Sequence, residues 1–161
     1  MTVKEYNQCV DLFADGVYRF ILKNIKNEEH ARDIVQDTFA KMWEKASDIS
    51  FQKSKSYLFT AAYHTMIDRI RREKHHENLE NNYELSDNRD PGYSDLKEII
   101  DEAASRLPEI QRSVLMLRDY EGYSYKEIGE ITGLNESQVK VYIYRARIFM
   151  KNYLVSLDRV I

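Results

Sequence analysis

Residues 124–147 read SYKEIGEITGLNESQVKVYIYRAR and contain two short helical patterns on either side of a glycine. Ser124, followed three residues later by Glu127, forms the signature of a capping box and predicts the start of a helix. Gly133 is the residue type that ends helices in the left-handed conformation, and Asn135 can cap a second helix. Helix, glycine-containing turn and helix at this spacing predict a helix-turn-helix.

The second helix of this motif divides into an apolar face and an outer face. No Asp or Glu occurs from residue 137 to residue 157, whereas Lys and Arg do. A helix in the major groove needs cations for phosphates near its edges and side chains of mixed polarity for the bases. The alternative is an ordinary solvated face, but the capped turn and the acid-free stretch together favour DNA. The outer stripe consists of Ser137, Lys140, Val141, Tyr144, Arg145 and Ile148.

The rest of the chain also favours helices. Apolar residues recur at i, i+3, i+4 and i+7 through most of residues 10–74, and the chain has only five glycines and two prolines. This periodicity is lost over residues 76–95, and residues 76–100 carry two basic against seven acidic residues. We therefore predict an all-α protein of two small helical domains, 1–75 and 96–161, joined by a flexible acidic linker over 76–95.

The second predicted helix has a polar outer face that suits a protein partner. Its buried stripe is expected to consist of Ile34, Val35, Phe39, Met42 and Trp43. The outer face then carries Asp33, Gln36, Asp37 and Lys41. A largely acidic face suits a basic protein surface better than it suits nucleic acid, although an ordinary solvated face has the same pattern.

The third predicted helix combines aromatic residues with cations. Tyr57, Phe59 and Tyr63 are followed by a basic run that contains Arg69, Arg71, Arg72 and Lys74. Aromatic rings can stack on unpaired bases while cations follow the backbone of a single strand. His64 and Asp68 lie four residues apart on this helix, but no third ligand stands at fixed helical spacing, so we predict no metal site.

Both halves of the chain resemble one family. The C-terminal half resembles region four of bacterial sigma factors of the extracytoplasmic-function (ECF) type. The resemblance is carried by Leu107-Pro108, Gly122-Tyr123-Ser124-Tyr125, Gln138-Val139-Lys140 and Arg145-Ala146-Arg147. Asp33-Ile34-Val35-Gln36-Asp37-Thr38-Phe39, followed by Trp43, resembles region two of the same family. The sequence departs from the usual family pattern at four positions: Tyr57 replaces Trp, His64 replaces Asn, Gly129 replaces Ala and Gln138 replaces Thr.

The resemblance implies a role for each of the three helices. Binding of the polymerase core, through a coiled coil of the β′ subunit, is implied for Asp33, Gln36, Asp37 and Lys41. Opening and reading of the minus-ten element is implied for Tyr57, Tyr63, His64, Asp68, Arg69, Arg71 and Arg72. Reading of the minus-thirty-five element is implied for Ser137, Gln138, Lys140, Val141, Tyr144 and Arg145. The loop over 47–55 aligns with the family's base-capturing segment, but its sequence assigns no pocket.

Composition excludes several other classes of protein. No run of about 18 apolar residues is present, so we expect no membrane insertion, and the absence of a signal peptide favours the cytoplasm. The sequence contains no catalytic constellation, and its single cysteine excludes an internal disulfide. We therefore predict a protein that is not an enzyme, has no cofactor or metal, and is a monomer when free.

The resemblance implies a sigma factor that recruits the β′ and β subunits of RNA polymerase to promoter DNA. It also implies a possible anti-sigma factor as partner, because members of this family are commonly held inactive by one. The net charge of −3 predicts weak promoter binding by the free protein. Two alternatives remain open from the residues: a dimeric stand-alone helix-turn-helix regulator, and a sigma-mimicking helical protein that binds a partner. The acidic linker has two hypothetical roles, which are occupying the RNA exit path of the polymerase and folding the two domains together.

Overall fold

The structure, a computed structural model, describes residues 1–80 and 95–160. All the regular secondary structure in these two ranges is helical, as the sequence predicts. The α-helices are α1 (Val3–Ile25), α2 (Glu28–Glu44), α3 (Ser54–Glu80), α4 (Asp95–Ser105), α5 (Glu109–Asp119), α6 (Tyr125–Thr132) and α7 (Glu136–Val160). Two short 3-10 turns, Ala46–Asp48 and Phe51–Lys53, connect α2 to α3.

Side-chain caps fix where α6 begins and ends. The Ser124 hydroxyl accepts the backbone N–H of Glu127 at 3.2 Å, and the Glu127 carboxylate accepts that of Ser124 at 3.1 Å. The Ser124 N–H lowers the pKa of Glu127, because it stabilises the ionised carboxylate. Gly133 follows the last turn of α6 with φ 81°, a conformation that a residue with a Cβ adopts only with strain. The predicted capping box and glycine stop are thus confirmed.

Close approach of two backbone segments defines the turn between α6 and α7. A Cβ atom placed on Gly129 would lie 2.7 Å from the carbonyl oxygen of Leu134. This distance is shorter than real Cβ atoms make with a backbone oxygen, so the turn fits tightly against α6 only because the residue is glycine. The structure thus gives a steric reason for glycine at position 129, where the family usually has alanine.

The first three helices pack on one another through the apolar stripes that the periodicity predicts. Cys9 is fully buried and behaves as a small apolar side chain. Burial of this set of side chains supplies the main driving force for assembling α1, α2 and α3. The largest fully buried side chains of these helices are Val17, Phe20, Ile21, Ile34, Met42, Leu58, Phe59 and Met66.

The predicted burial of Trp43 is wrong. The Trp43 side chain is 51% exposed, and its indole packs edge-on against the ring of Tyr6 at 4.9 Å between ring centroids. Trp43 follows the fully buried Met42 and points about 100° further round the helix, which places its side chain at the exposed edge of the buried stripe. The Tyr6 hydroxyl donates to the carbonyl oxygen of Phe39 at 2.9 Å, which holds the ring on which the indole rests.

The last four helices form the helix-turn-helix domain. Residues on the predicted inner face of α7 are buried, including Val139, Ile143 and Ala146. Val139 and Ile143 pack with side chains from α5 and α6, among them Leu117 and Ile128, whereas Ala146 packs with Leu107 and Leu115. The apolar half of the predicted α7 pattern is therefore confirmed.

The two helical domains contact each other directly. Helix α1 packs on α4 and α5, and α3 packs on α6. We call the contact set Asn24, Phe59, Arg112, Ser113 and Tyr123 the interdomain seam. The two domains are therefore in contact in this structure.

The structure describes only the two ends of the predicted linker over 76–95. Residues 81–94 lie outside the described residues, so the structure does not bear on their role. The backbone of α3 continues to Glu80, inside the range that the sequence assigns to the linker. None of the helices in the described ranges has both the length and the apolar character needed to cross a membrane.

Removing the cap of α6 tests its contribution to stability. Ser124→Ala deletes the hydroxyl that accepts the Glu127 N–H, and we expect the free energy of unfolding to fall by about 1 kcal/mol in urea denaturation. Lys126→Ala, at an exposed position of the same helix, is the matched control and should change stability by less than about 0.5 kcal/mol. Equal losses in the two variants would contradict a specific role for the cap.

Candidate polymerase and nucleic-acid interface

The outer face of α7 is exposed from residue 137 to residue 149. The residues predicted for the minus-thirty-five element share this exposure: Ser137, Gln138, Lys140, Val141, Tyr144 and Arg145. Tyr144 is 66% exposed and Val141 is 44% exposed, so large apolar groups stand in solvent between the cations. Such mixed polarity suits base edges, where thymine methyl groups and hydrogen-bonding atoms alternate.

Gln138 also has a structural role at the start of α7. Its side-chain oxygen accepts the backbone N–H of Asn135 at 3.0 Å, and the Asn135 side chain accepts the N–H of Gln138 at 2.8 Å. This reciprocal pair fixes the N-terminus of α7. One polar atom of Gln138 is therefore already engaged within the chain.

A groove beside α7 contains one cation, Arg147, that the sequence-based assignment of the DNA site omitted. It has a volume of about 400 Å3 and is lined by Tyr125, Lys140, Val141, Ile143, Tyr144 and Arg147. Arg147 makes a two-pronged ion pair with Asp119, with N···O distances of 2.6 and 3.3 Å. Its hydrogen bonds to Asp119 raise the pKa of Arg147. Because 140, 144 and 147 follow helical spacing, Arg147 could have been found from the sequence.

Two cations lie close to the ring of Tyr125, which lines this groove. The Arg118 guanidinium lies 4.6 Å from the ring centroid and Lys140 Nζ lies 5.6 Å from it. Arg118 also donates to the carbonyl oxygen of Tyr123 at 2.9 Å. The tyrosine thus holds positive charge beside α7.

The four residues predicted to bind the polymerase core share one exposed face of α2. They are Asp33, Gln36, Asp37 and Lys41. Lys41 Nζ donates to the hydroxyl of Thr65 at 3.1 Å, which links this face to α3. The carboxylates of Asp33 and Asp37 stand one helical turn apart in solvent, where a basic partner could reach both.

The predicted minus-ten residues divide between two faces of α3. His64, Asp68, Arg71 and Arg72 are exposed, whereas Tyr57 is half-buried. Tyr63 is only 6% exposed, and burial together with the negative charge of Glu109 raises its pKa to about 12. The structure therefore places the cations in solvent and covers the aromatic ring expected to stack on bases.

Arg69 has a structural contact as well. Its guanidinium donates to the carbonyl oxygen of His30 at 3.2 Å. The imidazole of His30 in turn lies 3.1 Å from the carboxylate of Glu73. These contacts tie the start of α2 to the middle of α3. In the described ranges, no three His, Cys, Asp or Glu side chains are placed to hold a metal ion.

Comparison with known families finds matches in both halves of the chain. Residues 9–76 match the family described as "Sigma-70 region 2", and residues 97–150 match that described as "Sigma-70, region 4". Two curated relatives come from Bacillus subtilis (strain 168). The chain is 29% identical over 152 residues to the ECF RNA polymerase sigma factor SigM, covering 91% of each protein. It is 29% identical over 153 residues to the RNA polymerase sigma factor SigV, covering 93% of this chain and 91% of the relative.

Solved structures share the fold. The sigma factor RpoE of Bartonella quintana, in complex with the anti-sigma factor NepR, superposes with a TM-score of 0.83 at 24% identity, covering 94% of this chain and 98% of that one. CnrH, in complex with the cytosolic domain of CnrY, superposes with a TM-score of 0.70 at 23% identity, covering 94% and 88%.

Neutralising cations on α7 tests its outer face as a DNA-binding surface. We expect Lys140→Ala and Arg145→Ala each to reduce the slope of log affinity against log salt by about 0.9, because each removes one phosphate neutralisation. Fluorescence anisotropy of a labelled duplex, titrated with the free protein at several salt concentrations, measures this slope.

Lys4→Ala is the matched control, since it removes the same charge from an exposed position on α1. Its slope should stay at the wild-type value. An equal reduction for Lys4→Ala would mean that net charge, and not contact with α7, governs duplex binding.

Proposed function

Because the chain belongs to the ECF sigma factors of the sigma-70 family, we propose that its two domains divide promoter recognition between them. The chain is a sigma factor that directs transcription initiation, and its partners are RNA polymerase and promoter DNA. The two sigma regions occur in the family's order, and this disfavours both a stand-alone regulator and a sigma-mimicking protein.

We assign polymerase binding to the outer face of α2. Asp33, Gln36, Asp37 and Lys41 would contact the β′ subunit, and their shared exposure supports this assignment. Two carboxylates one helical turn apart complement a basic surface and also speed encounter with it. The β subunit would contact the chain elsewhere, beyond this face.

We assign the promoter elements to α3 and α7. The exposed residues of α3, which are His64, Asp68, Arg71 and Arg72, would follow the minus-ten strand, and the half-buried Tyr57 would stack on one of its bases, whereas the ring of Tyr63 is buried. The outer face of α7 would read the minus-thirty-five duplex from the major groove. Its mixture of cations and exposed apolar side chains, on a helix without acidic residues between 137 and 157, carries the proposal.

The charge of the chain supports recruitment through the polymerase. A net charge of −3 gives the free protein little long-range attraction for DNA. Polymerase binding would hold both domains beside the promoter, so each domain needs only modest affinity. All bond-forming chemistry would then belong to the polymerase, and the chain would act as a cytoplasmic, non-enzymatic monomer.

We further propose that an anti-sigma factor regulates the chain. Two structural neighbours, RpoE and CnrH, are described in complexes with NepR, an anti-sigma factor, and with CnrY. The shared fold supports an equivalent partner for this chain.

In vitro transcription tests the function directly. Core polymerase from the source of the chain is incubated with fragments of the source genome, with and without the protein. We expect new transcripts whose start sites share a pair of upstream elements. Unchanged transcription by an active core would contradict the assignment, and a dimer that binds a two-fold symmetric site would indicate a stand-alone regulator instead.

Charge reversal tests the face of α2. We expect Asp33→Lys combined with Asp37→Lys to weaken binding to core polymerase by at least about tenfold, because two like charges would then face the basic partner. Biolayer interferometry with immobilised core measures the affinity. Asp11→Lys, on the exposed surface of α1, is the control and should bind as the wild type does. An unchanged affinity of the double variant would place core binding elsewhere.

A further inference from the structure

The side-chain amide of Gln138 is held at the start of α7 by its oxygen atom. That oxygen accepts the backbone N–H of Asn135 at 3.0 Å, and the Asn135 side chain accepts the backbone N–H of Gln138 at 2.8 Å. A backbone N–H can only donate, so the atom of the Gln138 amide that meets it is the oxygen. The amide nitrogen, with its two hydrogen atoms, takes no part in this reciprocal pair.

The beginning of the helix favours this orientation of the amide. The carbonyl oxygen of Asn135 accepts the N–H of Val139 at 3.1 Å, so the reciprocal pair lies at the first helical hydrogen bond of α7. The first N–H groups of a helix have no acceptor within the helix and depend on side chains or water. If the Gln138 oxygen turned toward a ligand, the Asn135 N–H would lose its side-chain acceptor. The amide is therefore preset to meet a ligand with its nitrogen.

Gln138 lies in the part of α7 that is suited to contact bases. It is exposed at the third position of the helix, and it shares one side of the helix with Val141 and Arg145, at i+3 and i+7. In a helix-turn-helix, the N-terminal residues of the second helix contact base edges in the major groove. The Gln138 amide would therefore meet a base edge when α7 lies in the groove.

The four bases differ in what they present to a hydrogen-bond donor. In the major groove guanine presents two acceptors, N7 and O6, thymine presents one, O4, and cytosine presents only its N4 amino group. Glutamine usually reads adenine with both amide atoms at once, the nitrogen donating to N7 and the oxygen accepting from N6. Because its oxygen is held by Asn135, Gln138 cannot offer this pair of contacts without giving up the cap.

We propose that Gln138 is a specificity residue that acts only as a donor: it keeps its bond to Asn135 on DNA and selects guanine or thymine against cytosine at one position of the minus-thirty-five element. The capping pair of α7 thereby restricts which bases this position of the promoter can contain. The inference rests on the proposed function, which assigns the outer face of α7 to that element.

Gln138→Glu reverses the direction of the hydrogen bond to DNA and preserves the cap. Glutamate at this position still accepts the Asn135 N–H, because Glu and Gln both serve as the third residue of a capping box. Its carboxylate replaces the amide donors by an acceptor, which suits the N4 amino group of cytosine. In urea denaturation of the free protein, the midpoint for Gln138→Glu should be no lower than that of the wild type.

The test measures base preference with core RNA polymerase saturated with the protein, on a promoter that in vitro transcription has defined. Each position of the minus-thirty-five element is set in turn to all four base pairs, and competition binding gives the relative affinities. At one position we expect the wild type to bind guanine or thymine at least about tenfold more tightly than cytosine. At the same position, Gln138→Glu should favour cytosine.

Exchanging two neighbouring side chains provides a charge-matched control. Glu136 is exposed in the first turn of α7, where its carboxylate lies 3.6 Å from Lys140 Nζ. The double variant Glu136→Gln/Gln138→Glu has the net charge of the wild type and should still favour cytosine at that position. Glu136→Gln alone should retain the wild-type preference. A reversal confined to Gln138→Glu alone would show that added charge causes it, and would overturn the proposal.

Two further results would overturn the proposal. A wild-type preference for adenine at this position would show that the Gln138 oxygen leaves the cap to read DNA. An equal loss of affinity of Gln138→Glu for every sequence would show that Gln138 contacts a phosphate, which carries no sequence information.

Failure of the proposed function gives a different pattern. If the wild type with an active core produces no new transcripts, the sigma factor assignment falls and this inference falls with it. If the wild type initiates and Gln138→Glu has the same base preferences at every position of the element, only the inference about Gln138 is overturned.

Discussion

The side-chain amide of Asn24 is the polar group on which the relative placement of the two domains depends. Apolar surfaces tolerate small displacements because their attraction has no direction, whereas a buried amide oxygen with two donors does not. Leaving Arg112 and Ser113 without this acceptor would cost about 1–3 kcal/mol while the groups stay buried. The contact constrains the orientation of α5 against α1. Burial lowers the pKa of Arg112, which marks its guanidinium as partly desolvated there.

Acidic and basic residues are distributed unevenly along the chain, although its net charge is only −3. The excess of acidic residues lies in residues 76–100, whereas the two flanking blocks are nearly balanced. Within those blocks, acidic side chains face outward on α2 and cations face outward on α7. A single chain can therefore present surfaces of opposite sign to a protein partner and to DNA, with the acidic segment between them repelling phosphates from the connection. Weak affinity of each domain alone favours binding in which both partners must be present.

The sequence was sufficient for the features that local physics determines. The capping box at Ser124 and the stop at Gly133 depend on neighbours within a few residues, and the inner face of α7 follows from helical periodicity. The position of Trp43 and the burial of Tyr63 depend on which segments pack beside them, and no local pattern contains that information. Asn24 did offer a signal, because it interrupts the apolar stripe formed by Val17, Phe20 and Ile21. A polar residue on such a stripe needs a partner, but the sequence cannot say that the partner is in the other domain.

The intrinsic fluorescence of the exposed Trp43 indole can report binding at α2. Trp43 is the single tryptophan among 161 residues, and it stands in solvent on the helix assigned to polymerase contact. Indole emission shifts to shorter wavelengths when water leaves its surroundings, so docking of α2 on a protein surface would change the colour of the fluorescence. An exposed aromatic ring that costs the free protein little in folding energy thus makes association observable without a label. Because Tyr6 on α1 contacts the indole of Trp43 on α2, the emission of Trp43 also depends on the native packing of α1 against α2.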